Sequence, residues 1–177
     1  MKSDATDFAC LAFVTESPAS GYDIFRASRT GTLRFVFKAS QATIYEALRR
    51  LEQRGALVAQ RVAQQGRPDK VVYRCTEAGR RLVPQLGKLI LKEGMDRTRI
   101  LLLVRFAASL PRSILDSALE ERSARLQRET ADLAELEAGL EADSAGLLSA
   151  FRDVLRAEQS QLVAIADYVG AIPPPAK

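Results

Sequence analysis

Apolar side chains recur at helical spacing through most of this chain, and the stretch from Ser40 to Gly55 shows the pattern most cleanly. Ile44, Leu48 and Leu51 fall at i, i+4 and i+7, one stripe of an α-helix, with Ala42, Glu46, Arg49 and Gln53 on the other side. Ser40 is the expected N-cap, and Gly55 stands where a helix commonly ends in the left-handed conformation. The outer sides carry Gln41, Thr43, Tyr45, Arg49, Arg50 and Arg54, donors suited to phosphates and base edges. The spacing therefore predicts a helix that buries one face and reads DNA with the other. An ordinary amphipathic surface helix would show the same periodicity, so the flanking segments decide between them.

Before that stretch, Phe8, Leu11, Ala12 and Phe13 predict a short buried helix over 5–16, stopped by Ser17 and Pro18. Ser20 and Asp23 have capping-box spacing and open a second helix through Tyr22, Ile24, Phe25 and Ala27, with Gly31 at its end. Phe35 and Phe37 alternate with Arg34 and Lys38, which predicts a short extended piece within Thr32 to Ala39. After Gly55 the period changes to that of strands. Leu57 to Val62 and Val71 to Cys75 are rich in β-branched residues, and Gln64 to Lys70 between them holds Gly66 and Pro68, so a β-hairpin is expected. Arg61, Arg67, Lys70 and Arg74 make that hairpin basic. Three helices followed by a basic hairpin is the element order of a winged helix-turn-helix, whose third helix enters the major groove while the wing lies along the backbone or minor groove.

Thr76 and Glu77 open the next helix, whose apolar face is Leu82, Val83, Leu86, Leu89 and Ile90; Pro84 inside it predicts a kink or break. Gly94 is the expected hinge, dividing a DNA-binding domain at 1–94 from a helical dimerisation domain at 95–177. An apolar helix over 96–110 ends at Pro111. Leu115, Leu119, Arg122, Leu126, Glu129, Leu133, Leu136 and Leu140 then form a heptad seam with two polar interruptions. A last helix carries Leu147, Phe151, Val154, Leu155, Leu162, Ile165 and Val169, and Pro173 to Pro175 follow it. The expected fold is mainly α: a winged helix-turn-helix domain plus long C-terminal antiparallel helices. The dimer interface is expected at Leu115, Leu119, Leu126, Leu133, Leu136, Leu140, Phe151, Leu155 and Leu162. A self-contained helical bundle in a monomer is the competing arrangement.

Charge sharpens this division. Over 1–94 there are 16 Lys and Arg against 9 Asp and Glu, and over 95–177 there are 10 against 13, so the front half is the one that attracts a polyanion. With no histidine in the chain and only Cys10 and Cys75, a Ser-His or Cys-His catalytic arrangement is excluded; no metal site, cofactor or enzymatic activity is expected. Two buried free thiols are the expected state of the cysteines, with a disulfide left open. Neither a signal peptide nor an apolar run of about 20 residues is present, so a cytoplasmic protein without membrane contact is expected.

Ser-Gly-Tyr-Asp-Ile at Ser20 to Ile24, the whole stretch from Ser40 to Gly55, and Gly-Arg-Pro-Asp-Lys-Val-Val-Tyr-Arg-Cys-Thr-Glu-Ala-Gly-Arg at Gly66 to Arg80 resemble the PadR-type transcriptional regulators, most densely over residues 8–83. That resemblance implies a homodimeric, usually repressing protein that binds a palindromic double-stranded operator and is released by an effector, often a small aromatic acid or planar drug. It places Ser40, Gln41, Thr43 and Tyr45 on the recognition helix, and Gly66, Arg67, Pro68 and Lys70 in the wing. Ala42 stands where the family often has glycine, and Glu46 where it often has proline. Lys38, Ser40, Gln41, Thr43, Tyr45, Arg49, Arg50, Arg61, Arg67 and Lys70 are the expected DNA-binding residues, with Arg34 a further phosphate contact. The alternative is a protein-interaction module acting through the C-terminal helical hairpin.

Overall fold

The computed structural model describes residues 3–64, 67–92, 96–139 and 145–172. Helix α1 (Ser3–Glu16) is the centre of the packing. Ala5, Phe8, Ala9, Cys10, Leu11, Ala12 and Val14 are each no more than 2% exposed, because a helix apolar on nearly every side must be surrounded. Helices α2 (Gly21–Ala27) and α3 (Gln41–Gln53) follow, then the antiparallel strands β1 (Leu57–Gln64) and β2 (Arg67–Cys75), and α4 (Glu77–Lys92). Helix α1 packs on α3, α4 and β2.

Helix α2 starts from the predicted capping box: the Ser20 hydroxyl accepts from Asp23 N at 3.2 Å, and Ser20 N donates to Asp23 Oδ2 at 2.9 Å. It ends at Ala27, earlier than the expected stop at Gly31. The connection that follows is a 3-10 turn over Thr32–Phe35, not an extended piece. Helical spacing won there because Leu33 and Phe37, four residues apart, are both buried, while Phe35 is left 68% exposed beneath the Arg34 guanidinium, 4.4 Å from its ring centre. The segment before α2 adds to the hairpin instead: Ala19 N donates to Tyr73 O at 3.1 Å and Tyr73 N to Ala19 O at 2.8 Å.

Of the expected kink or break at Pro84, a break is absent: α4 runs continuously through it. A proline there removes one backbone bond, to the Arg80 carbonyl, and Arg80 is on the exposed side. Gly94, the expected hinge, lies outside the described residues. Helix α5 (Arg97–Arg105) is capped by Asp96 and gives way to a 3-10 turn at Ala107–Ser109 before Pro111. One hydrophobic cluster takes in residues from both sides of the expected boundary: Ile100, Leu103, Phe106 and Leu110 belong with Phe8 and Leu11. Phe106 meets Phe8 edge to face at 5.8 Å, and Arg105 closes the seam with two bonds to Glu16, at 2.8 and 3.1 Å.

Helices α6 (Arg112–Gly139) and α7 (Ala145–Ala171) form an antiparallel pair, about 40 Å long at 1.5 Å per residue. Contacts between Arg112 and the Val169 carbonyl and between Arg122 and Glu158 fix its register. The two polar interruptions of the heptad seam are thereby explained. Arg122, 8% exposed, sends Nε and Nη2 to Glu158 Oε1 at 2.9 and 2.6 Å and lies 3.5 Å from Glu129. Among the described residues, no helix is long and apolar enough to cross a membrane.

Candidate nucleic-acid interface

Helix α3 is built as its sequence demands. The Ser40 hydroxyl accepts from Thr43 N at 3.1 Å and also meets Thr43 Oγ1 at 2.7 Å, so one residue both starts the helix and fixes the Thr43 rotamer. Ile44, Ala47, Leu48 and Leu51 are all 0% exposed. At the far end Gly55 adopts φ +68°, and Ala56 N reaches back to Leu51 O at 2.9 Å. The opposite face of α3 is open: Gln41, Ala42, Glu46 and Arg49 are exposed, as are Lys38 and Ser40 just before it. Thr43, bonded to Ser40, is half-buried.

Tyr45 is 40% exposed, but its ring lies against the start of α2: a Cβ on Gly21 would sit 2.7 Å from Tyr45 Cε1. Glycine after the capping serine is what lets α2 and α3 approach this closely. Tyr45 thus sets the angle between the two helices as well as lining the outer face.

Two cations expected at DNA are engaged inside the chain. Arg50 is turned back onto α1, where Nη2 donates to Asp7 Oδ1 at 2.6 Å and Nε to Oδ2 at 3.4 Å. The cause is Asp7 itself, whose side chain is 3% exposed, since a carboxylate that far from water demands a charged partner. These bonds raise the Arg50 pKa above the ordinary guanidinium value. Lys70 lies 2.8 Å from Asp23 Oδ2. Burial pushes Asp23 upward, but hydrogen bonds from Lys70 and from the Ser20 amide and hydroxyl outweigh it and bring its pKa to about 2.

In the hairpin, Leu57 pairs with Cys75, Ala59 with Tyr73 and Arg61 with Val71, and the register shifts between Val62 and Gln64. Arg61 is exposed, and Arg74 donates to Gln60 Oε1 at 3.2 Å. Gly66 lies outside the described residues, and so does the side chain of Arg67, whose backbone pairs with Gln64. The base of the hairpin is clasped by Thr76. Its hydroxyl is 2.7 Å from Gly55 O and 3.1 Å from Ala56 O and accepts from Gly79 N at 3.0 Å. Cys10 and Cys75 are free thiols. Cys10 is buried, and burial followed by the Asp7 charge pushes its thiol well above the ordinary range. Cys75 is half-buried and accepts from Thr15 Oγ1 at 3.1 Å.

Along the helical arm, Leu115, Leu126 and Leu133 are buried within this one chain. Leu119, Leu155 and Leu162 are half-buried, and Leu140 lies outside the described residues. Leu136 at 57% and Phe151 at 53%, both expected at the interface, are exposed, together with Leu147 at 63%, Val154 at 62%, Val163 at 62% and Tyr168 at 61%. A groove of about 370 Å³ also opens between α6 and α7, lined by Leu119, Ser123, Leu126, Gln159, Leu162 and Val163 among others.

Thr76 caps α4 as expected, Gly21 and Tyr73 stand in the segments that carry the family resemblance without the packing roles seen here, and Asp7 was not identified from sequence. Asp7 carried a signal nonetheless, as the one acid beside an unbroken apolar run, Phe8 to Val14.

Residues 10–85 match the transcriptional regulator PadR-like family. Among solved structures, Bacillus subtilis PadR in complex with operator DNA aligns at 21% identity over 94% of this chain and 97% of its own, with a TM-score of 0.45. A Streptococcus mutans protein aligns at 25% identity over 52% of this chain and 81% of its own, TM-score 0.43. A PadR-like transcriptional regulator from Bacillus cereus aligns at 20% identity over 92% and 94%, TM-score 0.39. No curated protein matches the chain.

Proposed function

We propose, from the premise that residues 10–85 carry the domain of the PadR-like transcriptional regulators, that this DNA-binding regulator works as a homodimeric repressor of a palindromic operator. The observation that carries the reading is the open face of α3. A helix capped at both ends buries Ile44, Ala47, Leu48 and Leu51 completely and leaves Gln41 and Arg49 outward, with no other described element over them. In this reading Gln41, Thr43 and Arg49 meet base edges, each good contact contributing roughly 1–3 kcal/mol of discrimination. Tyr45 meets the sugar-phosphate edge from its place on Gly21. Lys38, Ser40, Arg34, Arg61 and Arg67 meet phosphates, each charged contact adding about 0.9 to the slope of log affinity against log salt. Glu46, also exposed on α3, repels phosphate and favours a position opposite a cytosine amine.

Dimerisation is proposed along the arm, through Leu136, Leu147, Phe151 and Val154, because these large apolar side chains lack cover within the chain. Two copies would set their recognition helices one duplex turn, about 34–36 Å, apart. The α6–α7 groove is of a size that suits a small planar aromatic effector.

The test is footprinting of the full chain on DNA upstream of its own gene, with mass measured by light scattering. A symmetric protected site and a dimer mass are expected. A protein that stays monomeric and fails to retard this DNA at low salt overturns the reading. A dimer without DNA binding would instead favour the interaction-module alternative.

A further inference from the structure

We infer that Lys70 and Asp23 form a latch that positions the wing relative to the helix-turn-helix, and that Lys70 is a positioning residue and not a phosphate contact. This rests on the DNA-binding reading above and assigns a role within it.

Three bonds converge on one carboxylate oxygen. Asp23 Oδ2 accepts from Ser20 N at 2.9 Å, from Ser20 Oγ at 2.8 Å and from Lys70 Nζ at 2.8 Å. The group that closes the capping box of α2 is therefore the same group that holds the hairpin lysine. Lys70 stands opposite Val62, toward the outer end of β2. Three residues along the same strand, the Tyr73 backbone is gripped by Ala19, the neighbour of Ser20. The short segment 19–23 thus takes hold of β2 at two points, one by backbone and one by charge.

The hairpin has need of such a hold. A two-stranded ribbon is marginally stable alone, and Val62 and Val71, toward its outer end, are 42% and 36% exposed, so that half buries little apolar surface. Lys70 paired with Asp23 is also electrically neutral as a unit, and it attracts a phosphate far less than Arg61, which is exposed on β1.

The test uses the full-length protein and its footprinted operator, with Lys70→Met, Asp23→Asn, the double variant, and Arg61→Gln as the phosphate-contact control. Lys70→Met keeps the aliphatic stem, and Asp23→Asn keeps an oxygen for the cap. Each single variant should weaken operator binding by roughly fivefold, with the salt slope unchanged, and the double variant should be no weaker than either single. Arg61→Gln should flatten the slope by about 0.9. The inference is overturned if Lys70→Met flattens the slope by that amount, or if Asp23→Asn weakens binding while Lys70→Met does not. A second readout needs no DNA: amide exchange of the hairpin should rise in both single variants. Raised exchange in a protein that never binds DNA would leave the latch standing and remove the DNA reading; unchanged exchange removes the latch.

Discussion

Replacing Arg50 by methionine tests whether α3 is held from behind by charge. Asp7 keeps 3% of its side chain exposed and uses both oxygens on Arg50, whereas Arg50 is 39% exposed, so the two halves of the pair are not equivalent. Taking away the guanidinium strands a carboxylate that has no route to water. Cutting one half of a buried pair costs roughly 3–5 kcal/mol, and the open arginine side of this one places it near the lower bound, at about 3 kcal/mol. Asp7→Asn is milder, at about 1 kcal/mol, because the amide oxygen still accepts and Arg50 can turn outward. For a chain of this length each kcal/mol moves Tm by roughly 2–4 °C, so Arg50→Met should lower Tm by about 6–12 °C and Asp7→Asn by about 2–4 °C. Arg50→Met combined with Asp7→Leu replaces the pair by apolar groups and should recover most of the loss. Thermal and urea unfolding followed by circular dichroism give all three numbers. Equal losses in the two single variants, or a double variant as unstable as their sum, would refute the reasoning.

Three further outcomes are expected. The Asp23 pKa, about 2 in the folded chain against an ordinary 3.8, means that its contribution is fully present above pH 4 and is lost as pH falls toward 2. The urea stability gap between wild type and Asp23→Asn should accordingly shrink over that window, and a gap that persists at pH 2 argues against the assignment. Gly55→Ala meets no atom within 4 Å but must hold φ +68°, at about 1–2 kcal/mol, while a Cβ on Gly79 overlaps the Ala56 carbonyl and sits 2.8 Å from Cys75 Sγ. Gly79→Ala should therefore cost more, about 3 kcal/mol, and thermal unfolding that ranks the two in reverse would contradict the packing. Cys10 should stay unmodified by a thiol reagent in the native protein and react only at the rate of unfolding, whereas fast labelling at neutral pH would show that α1 is not sealed.

Local signals in the sequence were strong where one residue type has one job. Ser40 and Gly55 mark the ends of α3, Ser20 and Asp23 form the box that opens α2, and the β-branched runs around Gly66 and Pro68 gave the hairpin. Alternation misled at Phe35 and Phe37 because two aromatics in a short window cannot distinguish a period of two from a turn that buries Leu33 and Phe37. The intramolecular partners of Arg50 and Lys70 were illegible for a different reason. A cation's partner can lie anywhere in the chain: Asp7 is 43 residues from Arg50 and Asp23 is 47 from Lys70, distances over which no periodicity speaks. An acid shielded from water, fully at Asp7 and partly at Asp23, fixes where a nearby cation points, and shielding is a tertiary property.

The same limit governs the helical arm, where the heptad seam was legible but its occupant was not. Leu115, Leu126 and Leu133 are covered by their own chain, so they are not the stripe that awaits a partner. Along α7, Leu147, Phe151, Val154, Glu158, Leu162, Ile165 and Val169 follow one helical stripe. Its C-terminal part joins the core, with Val169 at 0% exposure and Leu162 and Ile165 packed against the cluster, while its first three members are more than half exposed. A single stripe covered at one end and open at the other is what a helix shows when a second body completes its packing. That is why the proposed dimer is placed on Leu147, Phe151 and Val154. Phe151→Glu puts a charge where that contact would exclude water, and it should shift the mass in light scattering toward the monomer while leaving the fold of residues 10–85 intact; an unchanged dimer would move the interface elsewhere on the arm.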